Sequence, residues 1–389
     1  MKKVAIVTSN RAEYGILSPL IRKVEADSEL LLELIVTGAH LSEKYGSTVD
    51  QIRNDGFPIK ATIPILEKGN SVIDISVTVA NAIKEFSVYF IDNKPDILVL
   101  LGDRTELLGV AIAAMNCNIP IAHLHGGEIT KGAVDDCVRH AITKLSHIHF
   151  AGTEVYKNRI IQMGENPSRV YNVGTLSAEN ILKTTLMEEN ELREDIGIPL
   201  GMKYAVVTLH PETVDGLSPR RIAKTLCDCM HEENDTFYVI TGSNSDVGGD
   251  IINEILIAYA NSNSNAVFRH SLGMRRYLSA VKYSLYVLGN SSSGIVEAPI
   301  FGVPTINVGN RQSGRIMVDS IINVSFEKEE IENAIDKASG TEHIPSKIYG
   351  DGSTSEKMVS ILKQVLSEGI ELKKGFYDID FNKNGDMMV

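Results

Sequence analysis

The stretch VAIVTSNRAEYGILSPLIRKVEADSELLLELIVT, residues 4–37, decides the fold. Val4 to Ser9 is a β-branched apolar run that stops in a polar turn, and Leu31 to Thr37 is a second such run. Between them Leu17, Leu20, Ile21 and Val24 recur at i, i+3, i+4 and i+7, which draws one apolar stripe down a helix. Strand, helix and strand in this order form a βαβ unit, whose helix returns the chain for a parallel pairing. The rhythm continues with Asp96 to Gly102, Pro120 to His125, Ile148 to Gly152 and Val170 to Val173. Several of these runs are apolar almost throughout, as strands covered by helices on both faces are.

Between Ser177 and Lys203 the rhythm breaks. An acid-rich stretch, Met187 to Asp195, precedes Gly197, Pro199 and Gly201, and reads as a surface helix plus a connector. Strand signals then resume at Tyr204 to Leu209, Thr236 to Thr241, Ala266 to Arg269, Leu285 to Gly289 and Pro304 to Val308. A last helical pattern carries Met358, Ile361, Leu362, Val365 and Leu366. The expected organisation is an α/β chain of two Rossmann-like doubly wound domains, residues 1–176 and 204–354. A connector over 177–203 joins them, and a closing helix and tail over 355–389 can pack back on the first domain. Open parallel sheets bind ligands beyond the carboxyl ends of their strands, so a cleft between the domains is where chemistry is expected.

Length and composition agree with this reading. A chain of 389 residues, 43% apolar, is long enough for two ordinary cores. Fifty acids against 38 Lys and Arg leave a net charge of −12, which disfavours nucleic acid and anionic lipid as partners. Four cysteines (Cys117, Cys137, Cys227 and Cys229) fit neither a disulfide ladder nor zinc knuckles, and no apolar run approaches the ~20 residues of a membrane span. A cytoplasmic protein with no membrane partner is expected.

The residues able to do chemistry cluster just after the strands. Arg11, in SNRAEYG, can meet an anion near a helix N-terminus or can be a solvated surface arginine. That turn lacks G-x-G-x-x-G, which disfavours a nicotinamide or flavin. Asp103 follows the most hydrophobic strand and is either a cleft carboxylate or a helix N-cap. In HLHGGE, His123 and His125 share a face if the strand runs through both, and Glu128 follows two glycines. Without H-E-x-x-H spacing this group points to acid–base work or sugar binding and not to a metal. Asp135 and Asp136 open a helix in which His140 lies one turn beyond Asp136. The helix dipole alone favours two such acids.

The second half offers a phosphate site. His210 ends one strand and Asn244 lies beyond the next. In GNSSSGIVE, Ser291 and Ser292 enter a helix whose N–H groups suit a diphosphate, and Glu297 one turn in can accept ribose hydroxyls. Arg311 follows the next strand and can pair with phosphate, though a plain Ser-rich helix cap would need no ligand.

In order, SNRAEYGI, VTGAHL, LGDRTE, IAHLHGGE, DDCVRHAITKLSH, NVGTLSAEN, TLHPET, TGSNSD, LGNSSSGIVEAP, INVGNRQSGR and GFYDI run through nearly the whole chain. Together they resemble the hydrolysing UDP-N-acetylglucosamine 2-epimerases of bacterial sialic-acid synthesis. The resemblance implies two Rossmann-like domains in the glycosyltransferase B arrangement, no cofactor and no metal. It implies anti elimination of UDP from UDP-GlcNAc to 2-acetamidoglucal, then hydration to N-acetylmannosamine. Asp103, Glu128, Asp135 and Asp136 carry over as the acid–base set, with His125 and His140 beside them. The UDP site carries over as Arg11, His210, Asn244, Ser291, Ser292, Glu297 and Arg311. Related epimerases have a glutamate where this chain has His125, and the sialic-acid subgroup shares the histidine form. A homo-oligomer, dimer or tetramer, is also implied. The alternatives are a hydrolysing 2-epimerase of a UDP-2,4-diacetamido-trideoxyhexose, a non-hydrolysing epimerase, a glycosyltransferase of the same fold, and a silent nucleotide-sugar sensor.

Overall fold

In the computed structural model, which describes residues 1–69, 71–129, 135–212, 218–233, 235–243, 247–341 and 343–380, strands and helices alternate along the chain. The first half runs β1 (Lys2–Thr8), α1 (Arg11–Glu25), β2 (Leu30–Thr37), α2 (Val49–Asn54), β3 (Ile59–Ile63), α3 (Val72–Asp92), β4 (Ile97–Leu101) and α4 (Thr105–Asn116). It continues through β5 (Ile121–Leu124), α5 (Asp135–Leu145), β6 (Ile148–Ala151), α6 (Glu154–Gln162), β7 (Val170–Asn172) and α7 (Leu176–Lys183). The second half runs α8 (Glu189–Ile196), β8 (Lys203–Thr208), α9 (Pro219–Glu232), β9 (Thr236–Thr241), α10 (Gly249–Ser262), β10 (Ala266–Arg269) and α11 (Gly273–Lys282). It then adds β11 (Val287–Gly289), α12 (Ser292–Ile300), β12 (Thr305–Val308), β13 (Ile321–Val324), α13 (Lys328–Ser339) and α14 (Thr354–Glu368).

Among the described residues all strand pairs are parallel. The first sheet has the order β3-β2-β1-β4-β5-β6-β7 and the second β10-β9-β8-β11-β12-β13. Each sheet grows outward from its first strand, then crosses back to grow the other way. The switch points therefore fall between β1 and β4 and between β8 and β11, where open α/β sheets hold ligands. Val4 to Val7 of β1 are completely buried, because helices cover both faces. The stripe of Leu17, Leu20, Ile21 and Val24 packs α1 into the same core as Met358, Leu362 and Leu366 of α14.

Two edge strands, β3 and β13, escape the sequence reading. β3 alternates between partly covered and exposed positions and β13 is buried only at Ile321, so neither shows the continuous apolar run that marks a central strand.

The chain divides into two compact units, one of residues 1–180 with 348–389, the other of 181–347. The expected connector over 177–203 is not free-standing. α8 lies inside it and packs Leu192 and Ile196 with Ile198, Tyr204 and Val206 of the second unit, an apolar spacing hidden among its acids. The expected limit at residue 354 also moves. Residues from 348 join the first unit, where Thr175 N–H donates to Tyr349 O (2.7 Å), Thr354 Oγ1 to Val173 O (3.1 Å) and Ser355 Oγ to Glu179 (2.6 Å). Among the described residues no helix is long and apolar enough to cross a membrane.

Candidate active site

The first cluster stands beyond β1, β4 and β5 in the first unit. Asp103 follows β4, but it does not cap α4, since Arg104 occupies the cap position. Its carboxylate instead pairs with Arg139 of α5. Arg139 is 5% exposed, lies 2.9 Å from Asp136 and donates to the Glu128 carbonyl oxygen at 2.9 Å. One buried guanidinium thus gathers Asp103 and Asp136, 33 positions apart in sequence, and ties the Gly-Gly turn to α5. Arg139 lies in the DDCVRH motif, where the sequence alone gives it no role. Its only local signal was its place three residues beyond Asp136 on one helix face.

His123 and His125 do different things. β5 ends at Leu124, and His125 turns out of it with φ 63°, the left-handed region that non-glycine residues rarely occupy. Strand alternation therefore does not extend to His125. His123 is fully buried, its Nε2 donates to Gly102 O at 2.8 Å, and burial pushes its pKa down to about 3. It is a neutral support for the loop that carries Asp103. His125 Nδ1 lies 3.0 Å from Glu128 Oε1. Burial disfavours the imidazolium, but the charge and hydrogen bond of Glu128 outweigh it and raise the His125 pKa. The other ring nitrogen, Nε2, is buried with no hydrogen-bond partner among the described residues.

Asp135 is exposed and Asp136 half-buried in the first turn of α5. His140 lies one turn further, its pKa held down by burial and by the nearby Arg139 and Arg159 charges against the pull of Asp136. Arg11 is exposed at the first position of α1, which Asn10 caps by accepting from Ala12 N–H (3.0 Å) and Glu13 N–H (3.1 Å). Beneath this turn Ser9 links two buried acids: its N–H donates to Glu13 (2.8 Å) and its hydroxyl to Glu106 (2.8 Å). Burial raises the Glu13 pKa to about 7.

The second cluster lies beyond β8, β11 and β12 in the second unit. Asn290, fully buried, accepts from His210 N–H at 2.7 Å and donates back to His210 O at 2.9 Å. Its own carbonyl oxygen accepts from Gln312 (2.8 Å) and Arg311 (3.3 Å). Glu212 accepts the N–H groups of Asn310 (2.8 Å) and Arg311 (3.0 Å). Asn290 and Glu212 escaped assignment because their partners lie far along the chain, yet they fix where His210 and Arg311 stand. Ser291 caps α12 by accepting from Ser293 N–H at 3.3 Å, so its hydroxyl has the structural use that a plain cap requires. Ser292 is exposed at the first helical position. Glu297, its pKa raised by burial, accepts from Ser293 Oγ. Asn244 lies outside the described residues.

The first unit thus gathers Asp103, Asp136, Glu128 and His125 around Arg139, while Asp135 and Arg11 stand exposed. The second unit orders His210, Arg311 and the N-terminus of α12 around Asn290. The fold is thus two Rossmann-like doubly wound units, with carboxylates and histidines gathered at the strand ends of one and a capped helix N-terminus at the strand ends of the other. The chain belongs to the UDP-N-acetylglucosamine 2-epimerase family, whose model matches residues 22–363. It is 38% identical over 342 residues to a hydrolysing GDP/UDP-N,N'-diacetylbacillosamine 2-epimerase of Campylobacter jejuni, covering 88% of each chain. It is equally 38% identical over 387 residues to polysialic acid biosynthesis protein P7 of Escherichia coli, covering 97% of this chain and 98% of the relative. The solved UDP-GlcNAc 2-epimerase of Methanocaldococcus jannaschii shares the fold with a TM-score of 0.76 at 21% identity, over 93% of this chain and 99% of that one.

Proposed function

We propose that the protein is a hydrolysing 2-epimerase that converts UDP-N-acetylglucosamine and water to N-acetylmannosamine and UDP. The observation that carries the reading is the Asp103/Arg139/Asp136 cluster with its neighbouring His125/Glu128 pair. Removing the C2 proton needs a carboxylate base, and expelling UDP from C1 needs a proton donor or positive charge near the leaving oxygen. The C1–O and C2–H bonds break and the C1=C2 bond of 2-acetamidoglucal forms. Water then supplies hydroxyl to C1 while a proton returns to C2 on the opposite face, which inverts that centre. Asp103, Glu128, Asp135 and Asp136 are the proposed acid–base set. His125, its pKa raised by Glu128 and its Nε2 without a hydrogen-bond partner among the described residues, suits proton donation, and His140 adds a second imidazole one turn from Asp136. In the second unit the α12 N-terminus with Ser291 and Ser292, together with His210 and Arg311, is the proposed diphosphate holder, and Glu297 the ribose acceptor. Arg11 and Asn244 complete the proposed UDP-sugar set.

Epimerase action is supported by the family, and hydrolysing action by the relatives whose names carry it. The Escherichia coli relative supports placement in sialic-acid synthesis. Incubation with UDP-GlcNAc, followed by proton NMR for free UDP and N-acetylmannosamine, tests the proposal. Asp103→Asn and Asp136→Asn should each lose turnover steeply and keep UDP binding. Release of UDP-N-acetylmannosamine without free UDP would instead mark a non-hydrolysing epimerase. Turnover restricted to a UDP-diacetamido-trideoxyhexose, the reading that the Campylobacter relative favours, would reassign the sugar. A dimer or tetramer belongs to the same proposal, and light scattering reads it.

A further inference from the structure

The closing motif GFYDI has no part in the proposed chemistry, yet its segment is tied to the helix that carries the acids. Past α14, residues 370–377 lie against the first unit. His147 Nε2 donates to Leu372 O at 3.3 Å, and Tyr377 N–H donates to Gly164 O at 2.9 Å. The Phe376 ring covers Gly164, where an added Cβ would run into it, and holds Lys144 Nζ 5.2 Å from its centroid. Lys374 is the centre of this contact. Its side chain is only 25% exposed, and its ammonium donates to Lys144 O (2.8 Å) and Ser146 O (2.5 Å) and lies 2.7 Å from Glu165.

Those two carbonyls belong to the carboxyl end of α5. The last carbonyls of a helix have no partner within it, and a cation there also meets the negative end of the helix dipole. A lysine about 230 residues along the chain supplies both. Glu165, 3% exposed, collects the cluster: Lys144 at 2.5 Å, Lys374, and His149 Nε2 at 3.0 Å. His149 is the register partner of His123 across β5 and β6. His123 in turn supports Gly102, next to Asp103, and its Nδ1 lies 3.1 Å from Thr143 Oγ1, which donates to Arg139 O at 3.0 Å. The tail anchor and the Asp103/Arg139/Asp136 cluster are thus opposite ends of one packed network on α5, β5 and β6.

We propose that Lys374 is a positioning residue: by capping the carboxyl end of α5 from the C-terminal tail, it fixes the helix that presents Asp136, Arg139 and His140. Its effect on turnover rests on the epimerase reading, whereas its effect on α5 does not. The test compares Lys374→Met, Lys374→Arg and a control, Lys363→Met, which breaks ion pairs to Asp27 and Glu29 elsewhere in the same unit. Hydrogen exchange over residues 135–146 and steady-state release of UDP from UDP-GlcNAc are measured on the full chain.

In Lys374→Met, exchange in α5 should quicken and kcat should fall about tenfold, since small misplacements of reacting groups are costly. KM should stay within about twofold and UDP binding by calorimetry should be unchanged. Lys374→Arg, which can still donate to both carbonyls, should recover most of kcat. Unchanged α5 exchange in Lys374→Met would overturn the proposal. So would a kcat no lower than that of the Lys363→Met control at equal loss of stability. If Lys374→Met does not fold, Phe376→Ala loosens the same tail and is read in the same way. Faster α5 exchange in a protein whose wild type turns over no UDP-sugar would uphold the clamp and refute the epimerase reading alone.

Discussion

Replacing Glu13 by Gln should stabilise the protein at alkaline pH relative to acid pH. Glu13 is 6% exposed, it accepts Ser9 N–H through one oxygen, and its other oxygen, Oε1, has no partner among the described residues. Glu106, on the other side of Ser9, adds a second negative charge, and Arg104 offsets it only in part. Burial first and the Glu106 charge next raise the pKa from 4.5 to about 7. Because the folded pKa is raised, folded chains hold a proton that unfolded chains have lost over that window. Stability is full below the unfolded value and drains away as pH climbs through the folded one. A rise from 4.5 to about 7 corresponds to about 3 kcal/mol.

Gln stays neutral throughout and keeps an oxygen for Ser9 N–H. Its –NH2 inherits the unpartnered position of Oε1, a pH-independent offset of about 1–3 kcal/mol. Chemical denaturation of both proteins from about pH 5 to about pH 8 isolates the effect, because titrating groups not coupled to Glu13 cancel in the difference. The stability of Glu13→Gln minus wild type should climb by about 2.5 kcal/mol across that range, the remainder of the shift lying below about pH 5. A flat or falling difference would refute the reasoning, since Glu13 would then be ionised in the folded chain at its ordinary pKa.

Arg139→Met keeps the volume but leaves two carboxylates and a carbonyl without their shared donor. It should cost about 3 kcal/mol in denaturation and abolish turnover, and wild-type stability would show that the cluster is solvated. Glu128→Gln removes the charge that raises the His125 pKa, so the alkaline limb of the rate profile should move to lower pH. An unmoved limb would remove His125 from the proton-donor role. Gly289→Ala forces a Cβ into the Thr208 carbonyl oxygen at φ 133°. A loss of at least about 2 kcal/mol in thermal unfolding is expected, with weaker UDP binding as the α12 entrance shifts. A variant that melts and binds like wild type would show that the strand end yields freely.

Much of the fold is written in local periodicity. β1, β2, β4 and β5 are apolar over most of their length, and α1 shows its buried stripe without knowledge of what covers it. β3 and β13 escape because Lys60 and Thr62 interrupt the first and Asn323 the second at exposed positions. α8 escapes as a packed element because its few buried apolar residues are diluted by acids that face solvent.

The site divides along the same line. Asp103, His125, Glu128, Asp136, His210, Ser291 and Arg311 were legible by type and by position after a strand, since chain connectivity alone puts strand ends on one edge of a parallel sheet. Their partners were not. Arg139 meets Asp103 across 36 positions, Asn290 meets His210 across 80, Glu212 meets Arg311 across 99 and Lys374 meets the end of α5 across 230. The sequence by itself determined the two doubly wound halves, through the period of its apolar residues, and the chemical inventory at their strand ends. It took the folded chain to settle which carboxylates share a cation, which histidine is a neutral buried support and which pairs with a glutamate, and which distant lysine ends the helix of acids. Hydrogen bonds and ion pairs act over a few ångströms, and separation along the chain carries no information about that distance until the sheets have brought the strand ends together.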